Sequence, residues 1–186
     1  MTTEVVFHPL GPTEEQLRFA QAHFIRYSKS QKKEFERLLQ LRPATPEDID
    51  KLELLVGKIP VDYAEFLKTQ NGGRPHPSRC RGNDGHIYVV NDLLALSFNL
   101  RFYANVLNFM GIYRNRIPDR SLPIGSSPNG DVFLLSLRND DFGAVLYWLH
   151  ELEAEENGSE HFGNVKKVAN SFTDFLAQYT GRKTKA

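Results

Sequence analysis

An α+β domain is predicted by three features of the sequence. Before residue 75 the chain offers stretches with helical spacing and recognisable caps. From residue 86 to 168 it offers short apolar runs cut by Gly, Pro, Asn and Asp, and a capped helical segment returns near the C-terminus. Elements in that order build an antiparallel sheet with helices packed on one face.

The first forty or so residues form a helical extension. No Gly or Pro interrupts Thr13 to Leu41, and Thr13-Glu14-Glu15-Gln16 has the capping-box spacing, so one helix or two are expected there. Leu17, Ala20, Phe24, Tyr27, Phe35, Leu38 and Leu39 can form an apolar stripe, with the polar run Ser28 to Lys33 as the place for a break. Arg42-Pro43 ends the segment. A second helix starts at Thr45-Pro46-Glu47-Asp48, where a Thr cap, Pro in the first turn and acids beside the free N–H groups suit a helix N-terminus, and Gly57 closes it. Pro60 opens a third, from about Val61 to Gln70, with Tyr63, Phe66 and Leu67 inward. Asn71-Gly72-Gly73 is its stop signal.

Arg74 to Gly85 is rich in Pro, Gly and Arg and is expected as an exposed loop before a strand at His86 to Val90. The Leu, Phe and Asn spacing of Asp92 to Met110 is partly helical. Leu122 to Ile124 is a short strand, Ser127 to Gly130 a turn, Val132 to Leu137 a strand and Gly143 to Leu149 its antiparallel partner. Alternation sets Phe133, Leu135 and Leu137 against Val132 and Leu134. A strand apolar on both sides is central and covered twice. Val165 to Val168 adds an edge, and Ser171 caps a last helix to Tyr179.

Composition bounds the function. With 40% hydrophobic and 25% charged residues, thirteen Phe, seven Tyr and one Trp, the 186-residue chain can bury one core. The single Cys80 excludes an intramolecular disulfide, and no apolar run approaches the roughly 18 residues of a membrane span. The N-terminus has no basic region followed by an apolar run, so the cytoplasm is expected. The net charge of zero conceals a segregation: residues 131–163 carry eight acids against Arg138, a balance of −7, and residues 164–186 carry +4. Such asymmetry steers charged partners, although an acidic run is ordinarily a solvated face.

Catalytic chemistry finds little support. His150-Glu151 would open a zinc-protease signature, but the second ligand position is Ala154. His76, Cys80 and His86, with Asp84, match no common zinc spacing. Gly125 to Gly130 lacks the Gly-x-Ser-x-Gly elbow, and neither a phosphate loop nor a dinucleotide glycine pattern is present. Asp131, after Asn-Gly, suits a carboxylate that fixes its turn through backbone N–H groups. Arg74, Arg79 and Arg81 beside Tyr88 are the residues that could contact nucleic acid, but overall neutrality argues against a broad basic face.

Four motifs in order carry a family resemblance: Glu53 to Pro75 with its Pro60 and Asn71-Gly72-Gly73, Gly130-Asp131 with the following strand, Gly143 to Trp148, and Ser171 to Leu176. Over about Thr45 to Tyr179 the chain resembles the SUKH superfamily, the domain shared by a yeast cell-wall-synthesis regulator and many bacterial toxin-immunity proteins. The resemblance implies an α+β domain at 43–180, preceded by the helical extension 1–42 and followed by a basic tail at 181–186. Pro60, Asn71, Gly72, Gly73, Gly130 and Asp131 are its motif positions, expected to be structural. The family often has an acid where this chain has Ser136, which weakens any paired-carboxylate mechanism. The resemblance implies a non-catalytic, cofactor-free protein that binds a toxin domain, in place of nucleic acid or a membrane, or alternatively a regulatory scaffold in cell-wall or signalling assemblies. Many such toxins are basic nucleases, so Glu151, Glu153, Glu155, Glu156 and Glu160 are the candidate partner-binding residues.

Overall fold

The structure is a computed structural model that describes residues 5–152 and 162–179; Glu153, Glu155, Glu156, Glu160 and the tail 181–186 lie outside them. A short strand β1 (Val6–His8) leads to helices α1 (Glu14–Ala22) and α2 (Lys29–Leu38). Both begin with a capping box, Thr13 with Gln16 and Ser28 with Gln31. The break falls at residues 23–28, so the polar run expected to separate two helices is the capped first turn of α2.

The apolar stripe expected along this extension does not form as a buried face. Ala20 and Leu38 are buried, whereas Leu17, Phe24 and Leu39 stay exposed. The segment is held to the rest by other means. The Arg74 guanidinium donates to the Gly11 carbonyl, the Tyr103 backbone N–H donates to Glu34, Arg37 donates to the Arg101 carbonyl, and Phe7 packs edge-on to Phe66.

Helix α3 (Pro46–Val56) follows a Thr45 cap, with Asp48 completing the box, and ends at Gly57 with φ 88°. Helix α4 (Val61–Thr69) starts after Pro60 and buries Tyr63, Phe66 and Leu67. Asn71, at φ 52°, then turns the chain into β2 (Arg74–His76), which pairs with β1. In place of an exposed loop, the Arg74 to Gly85 stretch therefore supplies β2 and β3 (Arg79–Arg81), the latter paired with β4 (Ile87–Val89). The alternation of exposed Arg79 and Arg81 with buried Cys80 is the period of a strand.

Strand β5 (Asp92–Leu93) opens the main sheet. Of the partly helical region that follows, only α5 (Val106–Ile112), capped by Asn105, is a helix. Strands β6 (Ser121–Ser126), β7 (Val132–Ser136), β8 (Val145–Trp148) and β9 (Val165–Ala169) complete an antiparallel sheet in sequence order, β5-β6-β7-β8-β9. Short turns join β6 to β7 and β7 to β8, and α6 (Phe172–Ala177) follows the Ser171 cap.

Strand β7 lies in the middle, and its register sorts the two faces. Phe133 stands opposite Tyr147 and Leu135 opposite Val145 on the face packed by α3, α4 and α6, while Val132 stands opposite Trp148 and Leu134 opposite Leu146 on the other. That second face is covered as well, by Phe109, Tyr113 and Ile117 from α5 and the segment after it. Covering one face only, as the element order suggested, would have left Trp148 in water; an aromatic burial of this size is a large share of a domain's net stability.

Candidate interaction site

Acids expected to form one surface are divided by the sheet. Asp140 and Asp141 lie in the β7–β8 turn, about 14 Å of strand away from the end where β8 runs into Glu151. There they neutralise Arg138, whose Nη2 is 2.5 Å from Asp141, and the Ser136 hydroxyl also donates to Asp141. Burial pushes the Asp141 carboxyl up, but the Arg138 and Ser136 hydrogen bonds outweigh it and hold the group below the usual carboxylate range. Ser136, the position where the resemblance leads one to expect an acid, thus serves a neighbouring acid.

At the opposite end of the hairpin, the turn from Ser127 to Asp131 is closed by bonds from the Ser127 N–H to the Asp131 carbonyl and from the Gly130 N–H to the Ser127 carbonyl. Gly130 has φ 93°, and a Cβ there would stand 3.2 Å from the His150 ring, so the position is closed to larger residues twice over. The Asp131 side chain turns inward. One carboxylate oxygen accepts from both the backbone N–H (3.0 Å) and the Nδ1 (2.8 Å) of His150, and the other accepts from Asn129 (2.6 Å). Tyr147 donates to the Ser127 hydroxyl at 3.1 Å, beside Asn129. Burial pushes the Asp131 carboxyl up, yet the bonds from His150, Tyr147 and Asn129 together leave it lowered.

This cluster pins the start of the β8–β9 connection. His150–Leu152 form a single 3-10 turn in which Glu151 and Leu152 are exposed, and Phe162–Asn164 form another before β9. The two ends meet: the Leu149 N–H donates to the Asn164 carbonyl at 2.9 Å, and the Asn164 side chain returns a bond to the Leu149 carbonyl at 3.2 Å. The run holding Glu151, Glu153, Glu155, Glu156 and Glu160 therefore leaves and re-enters the sheet at one point, with only Glu151 of the five among the described residues.

A carboxylate that orients an imidazole is half of a general-base device, but the hydroxyls of the cluster, Ser127 and Tyr147, are bonded to each other. Cys80 is buried and its thiol is pushed up to about 12, the reverse of an activated nucleophile. His76 and His86 are exposed while Cys80 is not, and among the described residues no group of three or more His, Cys, Asp or Glu is placed to hold a metal. Of the arginines considered for nucleic acid, Arg74 is engaged by Asp92, Gly11 and Tyr103. No helix among the described residues is long and apolar enough to cross a membrane.

The remaining motif positions lie at packing junctions. Pro60 is buried, and a Cβ on Gly143 of the β7–β8 turn would stand 3.3 Å from its ring. Asn71 is 2% exposed: its amide donates to the Arg42 and Leu96 carbonyls and its oxygen accepts from the Leu96 N–H. Gly72 runs against Ala95, and Gly73 pairs with Leu93 while its α-carbon faces β1.

Sequence reasoning passed over two features. It weighed His150 as a zinc ligand, whereas the β7–β8 register, with Val132 opposite Trp148, carries it to Asp131. The Arg74–Asp92 pair, at 3.0 Å with Asp92 buried, had no local signal at all.

No curated protein matches this chain. The sequence model of the SMI1/KNR4 family (SUKH-1) matches residues 43–178, from just before α3 to the end of α6. The match takes in the five-stranded sheet, both helical covers and every motif position discussed above, and the chain belongs to that family.

Proposed function

We propose that this chain is a non-catalytic protein-binding domain that acts as an immunity protein, neutralising a cognate toxin domain by direct association. The observation that carries the reading is the β8–β9 connection: five acids between Glu151 and Glu160 with no Lys or Arg among them, in a segment whose described flanks are tied by the Leu149–Asn164 bonds and buttressed by Asp131 and His150. A basic substrate-binding cleft is the complement of such a run. Complementary charge raises the association rate.

The test begins with co-expression beside any toxin-like domain that an adjacent reading frame encodes, scored by growth. Association rates of the purified pair are then compared for wild type and the triple variant Glu153→Lys, Glu155→Lys, Glu156→Lys at low and high salt. Slower capture by the variant at low salt, with the difference shrinking as salt is added, supports the reading. Equal rates at both salt levels reject the loop as the contact, and a toxin left active by the intact chain rejects immunity.

A second reading, a regulatory scaffold in cell-wall or signalling assemblies, is favoured by the helical pair α1 and α2. It lies outside the family match and leaves Phe19, Phe24 and Ile25 exposed.

A further inference from the structure

Helix α1 ends in a Schellman arrangement. The Ile25 N–H donates to the Ala20 carbonyl at 2.8 Å and the Phe24 N–H to the Gln21 carbonyl, with Phe24 in the left-handed region at φ 55°. Glycine is the usual residue there, because a Cβ is penalised in that conformation. Phe24 is 90% exposed, so burial returns nothing for the strain, and it is not among the walls of the groove that Phe19, Ile25, Tyr27 and Phe35 line nearby. A large aromatic ring therefore projects into solvent at the chain reversal between α1 and α2, with Ile25, 51% exposed, beside it.

Stability is given up a second time a few residues on. Helices α1 and α3 open with acids, Glu14 and Glu15 in one and Glu47 and Asp48 in the other, as the helix dipole favours. The first turn of α2 has none. It starts at Lys29, and Lys32 and Lys33 follow at spacings that put like charges on one face. The buried residue of α2 is Leu38, and Lys29 and Lys33 fall on the side of the helix turned away from it. With Arg26 they make four exposed cations, none with an ion-pair partner among the described residues. No carboxylate occurs from Gln16 to Lys33. The acids of the helical pair stand farther from the reversal: Glu15 is about 13 Å back along α1, Glu34 holds the Tyr103 N–H, and Glu36 is two turns into α2.

We propose that the α1–α2 connector is a peripheral docking tip for an anionic lipid bilayer: Phe24, with Ile25 beside it, enters the headgroup region, while Arg26, Lys29, Lys32 and Lys33 meet the charged headgroups. A basic segment carrying exposed apolar side chains is the chemistry such a surface attracts. Each cation near it adds a salt-sensitive share of the affinity and each immersed apolar group a salt-independent one. A bilayer closes around a projecting ring without a preformed socket, which a protein partner would have to supply, and Ile25 has no π face on which a nucleic-acid base could stack. The tip lies outside the family match at residues 43–178 and is opposite in charge to the β8–β9 run, so docking there is independent of toxin binding.

The experiment sediments the full chain with vesicles of equal parts phosphatidylserine and phosphatidylcholine, and with vesicles of phosphatidylcholine alone. Binding to the anionic vesicles is expected to be about tenfold tighter or more, and to weaken as salt is added. Lys29→Glu with Lys32→Glu should weaken it by about tenfold or more while the melting midpoint holds or rises, since acids suit the first turn of α2. Phe24→Gly should weaken binding at low and high salt alike, again with the midpoint held or raised, because glycine suits the left-handed position. Phe24→Trp reports insertion directly. The single native Trp148 is buried, so a blue shift of emission on adding anionic vesicles, present in Phe24→Trp and absent in wild type, puts residue 24 in the bilayer. The Glu153, Glu155, Glu156 reversal should not weaken vesicle binding, which separates failure here from failure of the immunity reading. Equal affinity for the two vesicles or none for either, affinity unchanged in the lysine pair or in Phe24→Gly, or the absence of a blue shift would overturn the proposal. Tighter binding to polyglutamate or to single-stranded DNA than to anionic vesicles, lost in the same variants, would overturn it in favour of an acidic protein or a nucleic acid.

Discussion

One carboxylate oxygen of Asp131 holds both the backbone N–H and the ring Nδ1 of His150, at 3.0 and 2.8 Å, across the end of the central hairpin. A single acid thereby fixes the entry to the acidic connection through main chain and side chain together. Nothing about the arrangement requires a substrate. The acid that the motif places after Gly130 acts on its own fold.

Replacing Asp131 with Asn should cost about 1–3 kcal/mol at neutral pH, the range for losing charge-assisted bonds to a buried acceptor. The pH dependence follows from the direction of the shift. The folded carboxyl lies below its ordinary value, so its contribution is complete above about pH 3.9 and is lost as pH falls through the depressed folded value. Urea unfolding of wild type and Asp131→Asn at several pH values should give a stability gap that is constant from pH 5 to 7 and narrows at the acid end. A gap that widens there would show that the buried carboxylate is a burden on the fold.

Asp92 has the opposite sign. It is 1% exposed, and burial pushes its carboxyl up despite the Arg74 guanidinium at 3.0 Å. Arg74→Met would leave that acid with only the neutral donors Asn91 and Tyr103. A cost of about 3–5 kcal/mol is expected, as for other broken buried pairs, with Asp92→Asn less damaging because Arg74 keeps Gly11 and Tyr103 and is partly solvated. For an acid with a raised folded value, stability is lost as pH rises through that value, so Arg74→Met should become relatively more stable as pH is lowered from 7 toward 4. Equal losses in the two single variants, or a flat profile for Arg74→Met, would contradict this account.

Local signals carried the parts of the fold that were legible in advance. Thr13, Thr45 and Ser171 each cap the helix they precede, and the alternation of Phe133 and Leu135 with Val132 and Leu134 located the central strand and its two covers. What escaped depends on contacts between distant elements. Arg74 looked like a loop residue because its partner Asp92 is reached only after β2 comes beside β5 through the Gly73–Leu93 bridge. Phe24 looked like a core residue because periodicity cannot register that the helix ends at Ala22 and turns the next aromatic outward. The same limit applies to the candidate site: its acids were visible as a run, but their division between the two ends of the hairpin required the register of β7 on β8.

Asn71 and Gly72 were legible as a helix stop, yet their side-chain and steric roles exceed it, and the two can be separated. Asn71→Gly relieves the left-handed backbone at φ 52° but removes the bonds to Arg42 and Leu96, leaving the Leu96 N–H and carbonyl in a buried site without those partners. If stopping the helix were its whole role, this substitution would be neutral or stabilising. With the clamp lost, a cost of about 2–4 kcal/mol is expected, one to three kcal/mol for each stranded polar group less the strain recovered. Gly72→Ala is a second, independent case. A Cβ there would meet the Ala95 backbone nitrogen at 2.8 Å and its Cα at 2.9 Å, whereas Gly57, at the similar φ of 88°, has nothing within 4 Å. Gly57→Ala, at φ 88° and ψ −174°, should therefore cost about 1–3 kcal/mol, the backbone penalty alone, and Gly72→Ala distinctly more, because the Ala95 backbone cannot move aside without disturbing its bond to Ala104. Thermal and urea unfolding of the three variants decides the matter: equal losses at Gly57 and Gly72 would mean that β5 and its continuation yield freely, and a stable Asn71→Gly would reduce the asparagine to a turn residue.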